Sequence, residues 1–244
     1  MNKHLIKQQS GFTLVEIAIV LVIFGLILSA LLLPLQAQRE QTLLIETNNT
    51  LDNARQALLG FAQRNGRLPC PATNLATAVF PDDTGTSNPN GSGACNQLVG
   101  FLPAATLGIQ PTDAQGFALD GWNNRIRYAV TNANTNAFTT NNAMNTLGMA
   151  ALTPNLRVCA TSTAASCTAT IHLSNEAVAI VYSTGASFLL GTGGADEDAN
   201  LDNNNVFVSH ESRENDANGE FDHIVTWISP YVLYNAMIEA GQLH

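Results

Sequence analysis

Lysine is absent from this chain after residue 7, and charged residues of either sign fill only 12% of its 244 positions. Such scarcity, together with 45% hydrophobic residues, excludes a disordered polyelectrolyte. Solubility must then rest on amides and hydroxyls, and long Asn-, Thr- and Ser-rich stretches supply them. With 10 basic against 19 acidic side chains and a formal charge of −9, no broad basic face exists to capture nucleic acid. No nucleic-acid partner is expected. The four cysteines include no Cys-x2–4-Cys pair, which removes the common zinc frameworks. Gly191-Thr192-Gly193-Gly194 lacks the lysine and the following helix of a phosphate loop and reads as a turn. Ser183 and Ser187 have no nucleophile-elbow surroundings, and His172, His210 and His223 are scattered. No catalytic residue is identified and no enzyme is expected. Trp122 and Trp227 read as core or sheet residues, and no repeat of 20–50 residues is present. A mass of 25.9 kDa leaves room for one domain with an appendage.

Charge is distributed unevenly. Lys3 and Lys7 precede a run from Phe12 to Leu35 that is apolar except for Glu16 and a few small or hydroxyl residues. At about 1.5 Å per residue such a run spans roughly 36 Å, enough for a hydrocarbon layer of about 30 Å. A single membrane pass over 12–35 is therefore expected, its basic start in the cytoplasm and the chain beyond about residue 40 on the far side. A cleaved secretory signal fits less well, because its apolar stretch is about 7–15 residues long and carries no acid, although Leu35-Gln36-Ala37 is a passable cleavage tripeptide. A plain signal anchor explains the length but not Glu16. An acidic side chain in an apolar span costs up to about 2.5–3.5 kcal/mol at a helix centre and less near an end, so it is a functional suspect.

Gly11-Phe12-Thr13-Leu14-Val15-Glu16, behind a short basic leader and ahead of an apolar helix, closely resembles the prepilin motif of type IV pilins and type II secretion pseudopilins. The resemblance implies that a prepilin peptidase cuts the leader 1–11 after Gly11 and that Phe12 becomes the N-methylated first residue, with Glu16 as the fifth. It further implies assembly with other pilin or pseudopilin subunits on an inner-membrane platform, with the carboxyl-terminal domain in the periplasm or on a surface filament. A Glu16 carboxylate meeting the Phe12 ammonium of a neighbour would replace two unpaired charges in an apolar bundle and set register more than add stability. Gly25 and Ser29, four apart, offer a small face for close helix contact. Pro34 should loosen or kink the helix. Loss of the leader leaves 233 residues, long for a major pilin, and takes the charge from −9 to −11 with both lysines. A minor subunit is favoured. The segments 65–71 and 222–243 also resemble parts of larger minor pilin-like proteins, more weakly.

Beyond the span, Leu44, Leu51, Ala54, Leu58 and Phe61/Ala62 mark one face of an amphipathic helix over 36–66, stopped by Asn65-Gly66 and Leu68-Pro69. The globular domain is expected over 67–244. Its first part, to about 120, is rich in Pro and Gly and loop-like. Strands are expected at 125–130, 156–159, 177–182, 206–208 and 224–228, and a last helix opens at Pro230 and stops at Gly241. The fold class is α+β: a long amino-terminal helix, part transmembrane and part amphipathic, packed on an antiparallel sheet with irregular, disulfide-stapled loops.

Cys70, Cys95, Cys159 and Cys167 lie on the translocated side, where thiols oxidise into two disulfides. Three pairings are possible; the sequential one would pin the irregular segment and close a short hairpin. Asp196, Asp198, Asn200 and Asp202 place oxygens at alternate positions after glycines, as in a loop that wraps Ca²⁺. The match is partial, since Leu201 stands where an EF-hand needs glycine and Phe207 where it needs glutamate. Asp216, Asn218, Glu220 and Asp222 repeat the alternation more loosely. The alternative to a filament subunit is a membrane-anchored binding or adhesin domain that does not polymerise; an anchored hydrolase is a third reading.

Overall fold

The computed structural model describes residues 11, 13–73, 85–87, 94–163, 166–167, 172–191, 193–216 and 219–244, without the side chains of 30–36, 162, 163, 166 and 214–216. Phe12 and the side chain of Pro34 fall outside. The chain divides into two compact units, one ending at Leu43 and one covering Leu44–His244.

Helix α1 (Leu14–Asn65) belongs to both units and continues through Pro34 without a break in its helical assignment. Among the described residues no helix is long and apolar enough to cross a membrane. The span expected over 12–35 is therefore not met among the described residues, whose side chains in that run extend only from Thr13 to Ser29. After Leu44 the pattern changes as amphipathicity requires: Thr47, Leu51, Ala54, Leu58 and Ala62 are buried at spacings of three and four. Gly66, at φ +65°, ends the helix, its N–H donating to the Ala62 carbonyl at 2.9 Å.

The second unit continues through β1 (Val99–Phe101), α2 (Ala104–Leu107), β2 (Arg127–Val130), α3 (Ala133–Asn136), α4 (Ala143–Leu147), β3 (Leu156–Cys159), β4 (Ser162–Thr163), β5 (Ser166–Cys167), β6 (His172–Ala177) and β7 (Ala179–Ser183). Then come α5 (Ala195–Leu201), β8 (Val206–Val208), β9 (Arg213–Asp216), β10 (Gly219–Phe221), β11 (Ile224–Ile228) and α6 (Pro230–Glu239). Strands β1, β2, β7 and β11 form an antiparallel sheet in that order. One of its faces packs Tyr128, Val130, Val181 and Ile228 against Leu51, Ala54 and Leu58 of α1 and Leu233 and Met237 of α6. The other face packs Ala129, Ile180 and Tyr182 against Leu156, Val158 and Phe207 of a second sheet, ordered β6-β3-β8. Strand β7 is covered on both sides, which is why its sequence is an unbroken apolar run instead of an alternation.

The single antiparallel sheet expected from sequence is therefore corrected to a main antiparallel sheet plus a three-stranded one, in which β3 and β8 run parallel. Disulfides join Cys70 to Cys95 and Cys159 to Cys167, the sequential pairing, with Cα separations of 5.2 and 5.7 Å.

Candidate functional site

In the first unit the chain has a built start. Thr13 stands just before α1, and its N–H and hydroxyl both donate to Glu16 Oε2 at 2.9 Å, while the Glu16 N–H donates to Thr13 Oγ1 at 3.3 Å. This reciprocal pairing is a capping box: Thr-x-x-Glu satisfies amides that the first turn leaves without partners. The motif is legible in Thr13-Leu14-Val15-Glu16, and it gives Glu16 a role within its own chain that the register argument had missed. Only Oε2 is engaged in that cap. Gly11 is exposed immediately upstream.

From this cap onward apolar side chains face outward on every side. Leu14, Leu21 and Val22 are 86%, 66% and 64% exposed, and so are Ile19, Phe24, Leu26 and Ile27 in large measure. A helix apolar all round is a buried helix in its working state, in lipid or among other helices. A Cβ added at Gly25 would meet nothing within 4 Å, so that notch stands open for a neighbouring backbone.

In the second unit the acidic run does not wrap a loop. Residues 195–201 form helix α5, so the glycine-led stretch before it does precede a helix, contrary to expectation, although its lysine is still missing. Successive helical residues turn by about 100°, so oxygens at alternate positions spread around the axis and do not converge. Asp196 is buried, accepts from Thr161 Oγ1 at 3.0 Å and lies 3.3 Å from His210 Nε2. Asn200 pairs with Val208, accepting its N–H at 2.7 Å and donating to its carbonyl at 3.1 Å. Asp198 is exposed, and Asp202 accepts from the Asn204 N–H and side-chain amide. As described, the acids among these four residues form no cluster of converging ligand atoms. Addition of millimolar Ca²⁺ or of chelator is expected to leave the melting temperature within about 1 °C, whereas a cation held at 100 times its Kd would add about 2.7 kcal/mol. Of the looser second set, Asn218 and the side chain of Asp216 lie outside the described residues.

The acid that the alternation passed over is the one with a built environment. Glu197, 3% exposed, accepts the Asp222 N–H on Oε1 at 2.7 Å, and its Oε2 lies 3.2 Å from Ser187 Oγ and 3.7 Å from His223 Nε2. Asp222 accepts the Ser187 N–H at 2.7 Å and its hydroxyl at 3.0 Å. Burial, reinforced by the Asp222 charge, pushes the Glu197 carboxyl up to about 7, against the pull of the Asp222 N–H. Burial, with Arg127 nearby, drives the His223 imidazole down to about 3. Glycine is required where the backbone meets these carboxylates. A Cβ at Gly185, where φ is +64°, would lie 2.0 Å from Asp222 Oδ1, and one at Gly193 would lie 2.2 Å from Glu197 Oε2.

Glu197, Asp222 and His223 offer three ligand atoms within 4.8 Å of one another, as do Cys159, Cys167 and His172. In the second trio the two cysteines are committed to a disulfide. In the first, the Asn200 amide is oriented by both backbone groups of Val208, so its nitrogen faces His223 Nδ1 at 3.1 Å. Nδ1 must then accept, and Nε2 carries the proton. A metal on Nε2 would need the lone pair that this tautomer does not have there.

Comparison with known families places the described start in context. Residues 6–32 match the family model of the prokaryotic N-terminal methylation motif, the signature of type IV pilins and pseudopilins. The match covers the end of the basic amino-terminal segment and the first part of α1, and leaves the globular unit unassigned. Searches of curated proteins and of solved structures returned no match.

Proposed function

We propose that this chain is a minor type IV pilin or pseudopilin, a non-enzymatic structural subunit that is made as a membrane precursor, cut after Gly11 and methylated on Phe12. Its apolar helix first holds it in the inner membrane as a single pass and then enters the core of a pilus or secretion pseudopilus. One observation carries this reading: a methylation motif opens directly onto a capped helix whose apolar side chains face outward all round. Such a helix requires a second apolar environment after it leaves lipid, and a bundle of like helices supplies one. The disulfide-stapled unit then faces outward. The partners are other pilin-type subunits, the prepilin peptidase, the assembly platform and membrane lipid.

Mass spectrometry of the amino terminus tests the proposal. A chain from cells that possess the processing peptidase is expected to start at N-methyl-Phe12; a start at Met1 or at Gln38 overturns the reading. A second reading, an anchored binding domain that never polymerises, draws on a groove of about 410 Å³ beside β1, where Gln97, Phe101, Arg127 and Asn203 line the wall. It predicts a retained leader, so the same spectrum decides between them.

A further inference from the structure

Arg127 of β2 holds a half-buried charge with no acid paired against it among the described residues, whereas Arg125, two positions earlier, meets Asp113 at 2.8 Å. Its guanidinium carbon lies instead 5.3 Å from the Phe101 ring centre and 5.9 Å from that of Phe188. Aromatic faces position a guanidinium without neutralising it. Tyr182, opposite Arg127 on β7, is kept neutral by burial, which pushes its phenol up to about 12. Asp202 is engaged elsewhere, accepting the Asn204 N–H at 3.2 Å and its side-chain amide at 2.6 Å. A partly desolvated cation left in this state is a ready partner for an anion from outside the chain.

That charge opens into the groove of about 410 Å³, whose wall is the consecutive stretch 97–101 together with Arg127 and Asn203. Strand β1, within this stretch, is an edge of the main sheet. The Val130 N–H donates to the Leu98 carbonyl at 3.0 Å and the Leu102 N–H to the Ile126 carbonyl at 2.9 Å. Backbone groups of 98, 100 and 102 therefore turn toward β2, and those of Val99 and Phe101 turn outward. Ala72 takes both groups of Phe101, at 2.9 Å each. Val99 has no such partner among the described residues. Its side chain is buried between the two sheets, so its outward N–H and C=O are what it offers to the groove. The Gln97 amide is already taken by the Ala72 carbonyl at 3.0 Å.

We infer that this groove is a docking site for an extended acidic peptide of a partner protein: one residue pairs with the Val99 edge while its carboxylate, or that of a neighbouring residue, meets the Arg127 guanidinium. The planar fork of arginine matches a carboxylate with two parallel hydrogen bonds. One cation answers one carboxylate. A nucleic acid or another polyanion brings far more negative charge than a single arginine offsets in a chain of formal charge −9. Backbone pairing supplies affinity and the charge supplies selectivity, as in strand addition to a sheet edge. Because Ala72 occupies the edge at Phe101, the open part is short and does not invite edge-to-edge stacking of whole sheets. The inference concerns the globular unit and stands whether or not the chain polymerises.

Full-length chain in detergent micelles is titrated at low ionic strength with short capped peptides of valine and threonine that carry one central glutamate or, as the control, one glutamine. In ¹H–¹⁵N spectra the Val99 N–H and the Arg127 Nε–H are expected to move together, with a Kd on the order of 0.1–1 mM, and the control should bind at least about tenfold more weakly. A third peptide, with the glutamine and a free carboxyl end, tells a chain-end carboxylate from a side-chain one; tight binding of either supports the site. Arg127→Met keeps an apolar stem beside the rings and should weaken the glutamate peptide about tenfold or more. Asn203→Asp, at an exposed position with φ +60° that aspartate tolerates, puts a negative charge at the rim and should weaken it about three- to tenfold. This second variant keeps the test decisive if the first misfolds. Equal binding of the glutamate and glutamine peptides, no binding at about 10 mM, or unchanged binding in Asn203→Asp would each overturn the proposal. So would inorganic phosphate moving the same signals at the same concentration, which marks an unselective anion spot, or movement with protein concentration alone, which places a second copy in the groove.

Discussion

Asp120→Ala is expected to destabilise the globular unit by about 3–5 kcal/mol, the largest loss of any single side chain outside the apolar core. Asp120 is 4% exposed and organises a turn between the main sheet and α1. Its Oδ1 accepts the N–H groups of Trp122 and Asn124 at 2.9 and 2.8 Å, and its Oδ2 accepts the Ser183 hydroxyl at 2.5 Å. The same Ser183 oxygen takes the Gly185 N–H at 3.0 Å, the Asn124 amide donates to the Gly185 carbonyl, and the Gly121 N–H reaches Thr47 Oγ1 on α1 at 2.9 Å. Alanine strands three donors in a buried place, and each stranded donor costs about 1–3 kcal/mol. Asp120→Asn keeps an oxygen for the two amides but turns an NH₂ toward Ser183, so a smaller loss of about 1–2 kcal/mol is expected. Urea unfolding of the detergent-solubilised chain checks both; equal losses would mean that the charge on Asp120, and not the oxygen at Oδ1, holds the turn.

Local pattern was enough where one face or one end of an element decides its structure. The spacing of Leu51, Ala54, Leu58 and Ala62 marked the buried side of α1, and Pro230 opened α6, where the Ser229 hydroxyl now caps the Val232 N–H at 3.4 Å. Strands β2, β3, β8 and β11 fell within the segments marked by alternation or by apolar runs, and β7 overlaps the 177–182 segment, which takes in the last residue of β6 and stops one short of Ser183. Pairing was not legible. The parallel contact of Arg157, Val158 and Cys159 with Val206, Phe207 and Val208 joins segments far apart in sequence, and nothing local distinguishes it from an antiparallel one. Strand β6 was missed because it is mostly exposed and rich in polar residues.

The acidic run shows how identical letters support two readings. Asp196, Glu197 and Asp198 are the first turn of α5, where acids complement the amino-terminal end of the helix dipole. Read as alternate ligands they suggested a loop; read as a first turn they predict the helix that forms. Glu197, Asp222, Ser187 and His223 could not be assembled beforehand, because helix α5 and two separate connections supply them and only the fold brings these together. What the sequence did carry was their chemistry, and the glycines that let backbone approach carboxylate.

Glu16→Ala is expected to leave membrane insertion and leader cleavage intact and to lower incorporation into filaments at least tenfold, which is about 1.4 kcal/mol in an assembly equilibrium. The capping box supplies a competing explanation, since alanine also removes the partner of Thr13 at the start of α1, and loss of a cap costs about 1 kcal/mol. Two further variants separate these causes. Thr13→Ala removes the cap while keeping the carboxylate; Glu16→Gln keeps an oxygen for Thr13 while removing the charge. If Glu16 aligns neighbours by meeting their Phe12 ammonium, Glu16→Gln should fail as Glu16→Ala does and Thr13→Ala should still assemble. An ion pair about 4 Å apart gains roughly 4 kcal/mol at an effective dielectric of 20, and desolvation removes much of that, so its main effect is to penalise a helix seated one turn too high or low. The ratio of subunit in sheared filaments to subunit in membranes measures all three. Assembly of Glu16→Gln at the wild-type level, with Thr13→Ala impaired, would reduce Glu16 to a helix cap and leave the register of the bundle to Gly25 and its apolar neighbours.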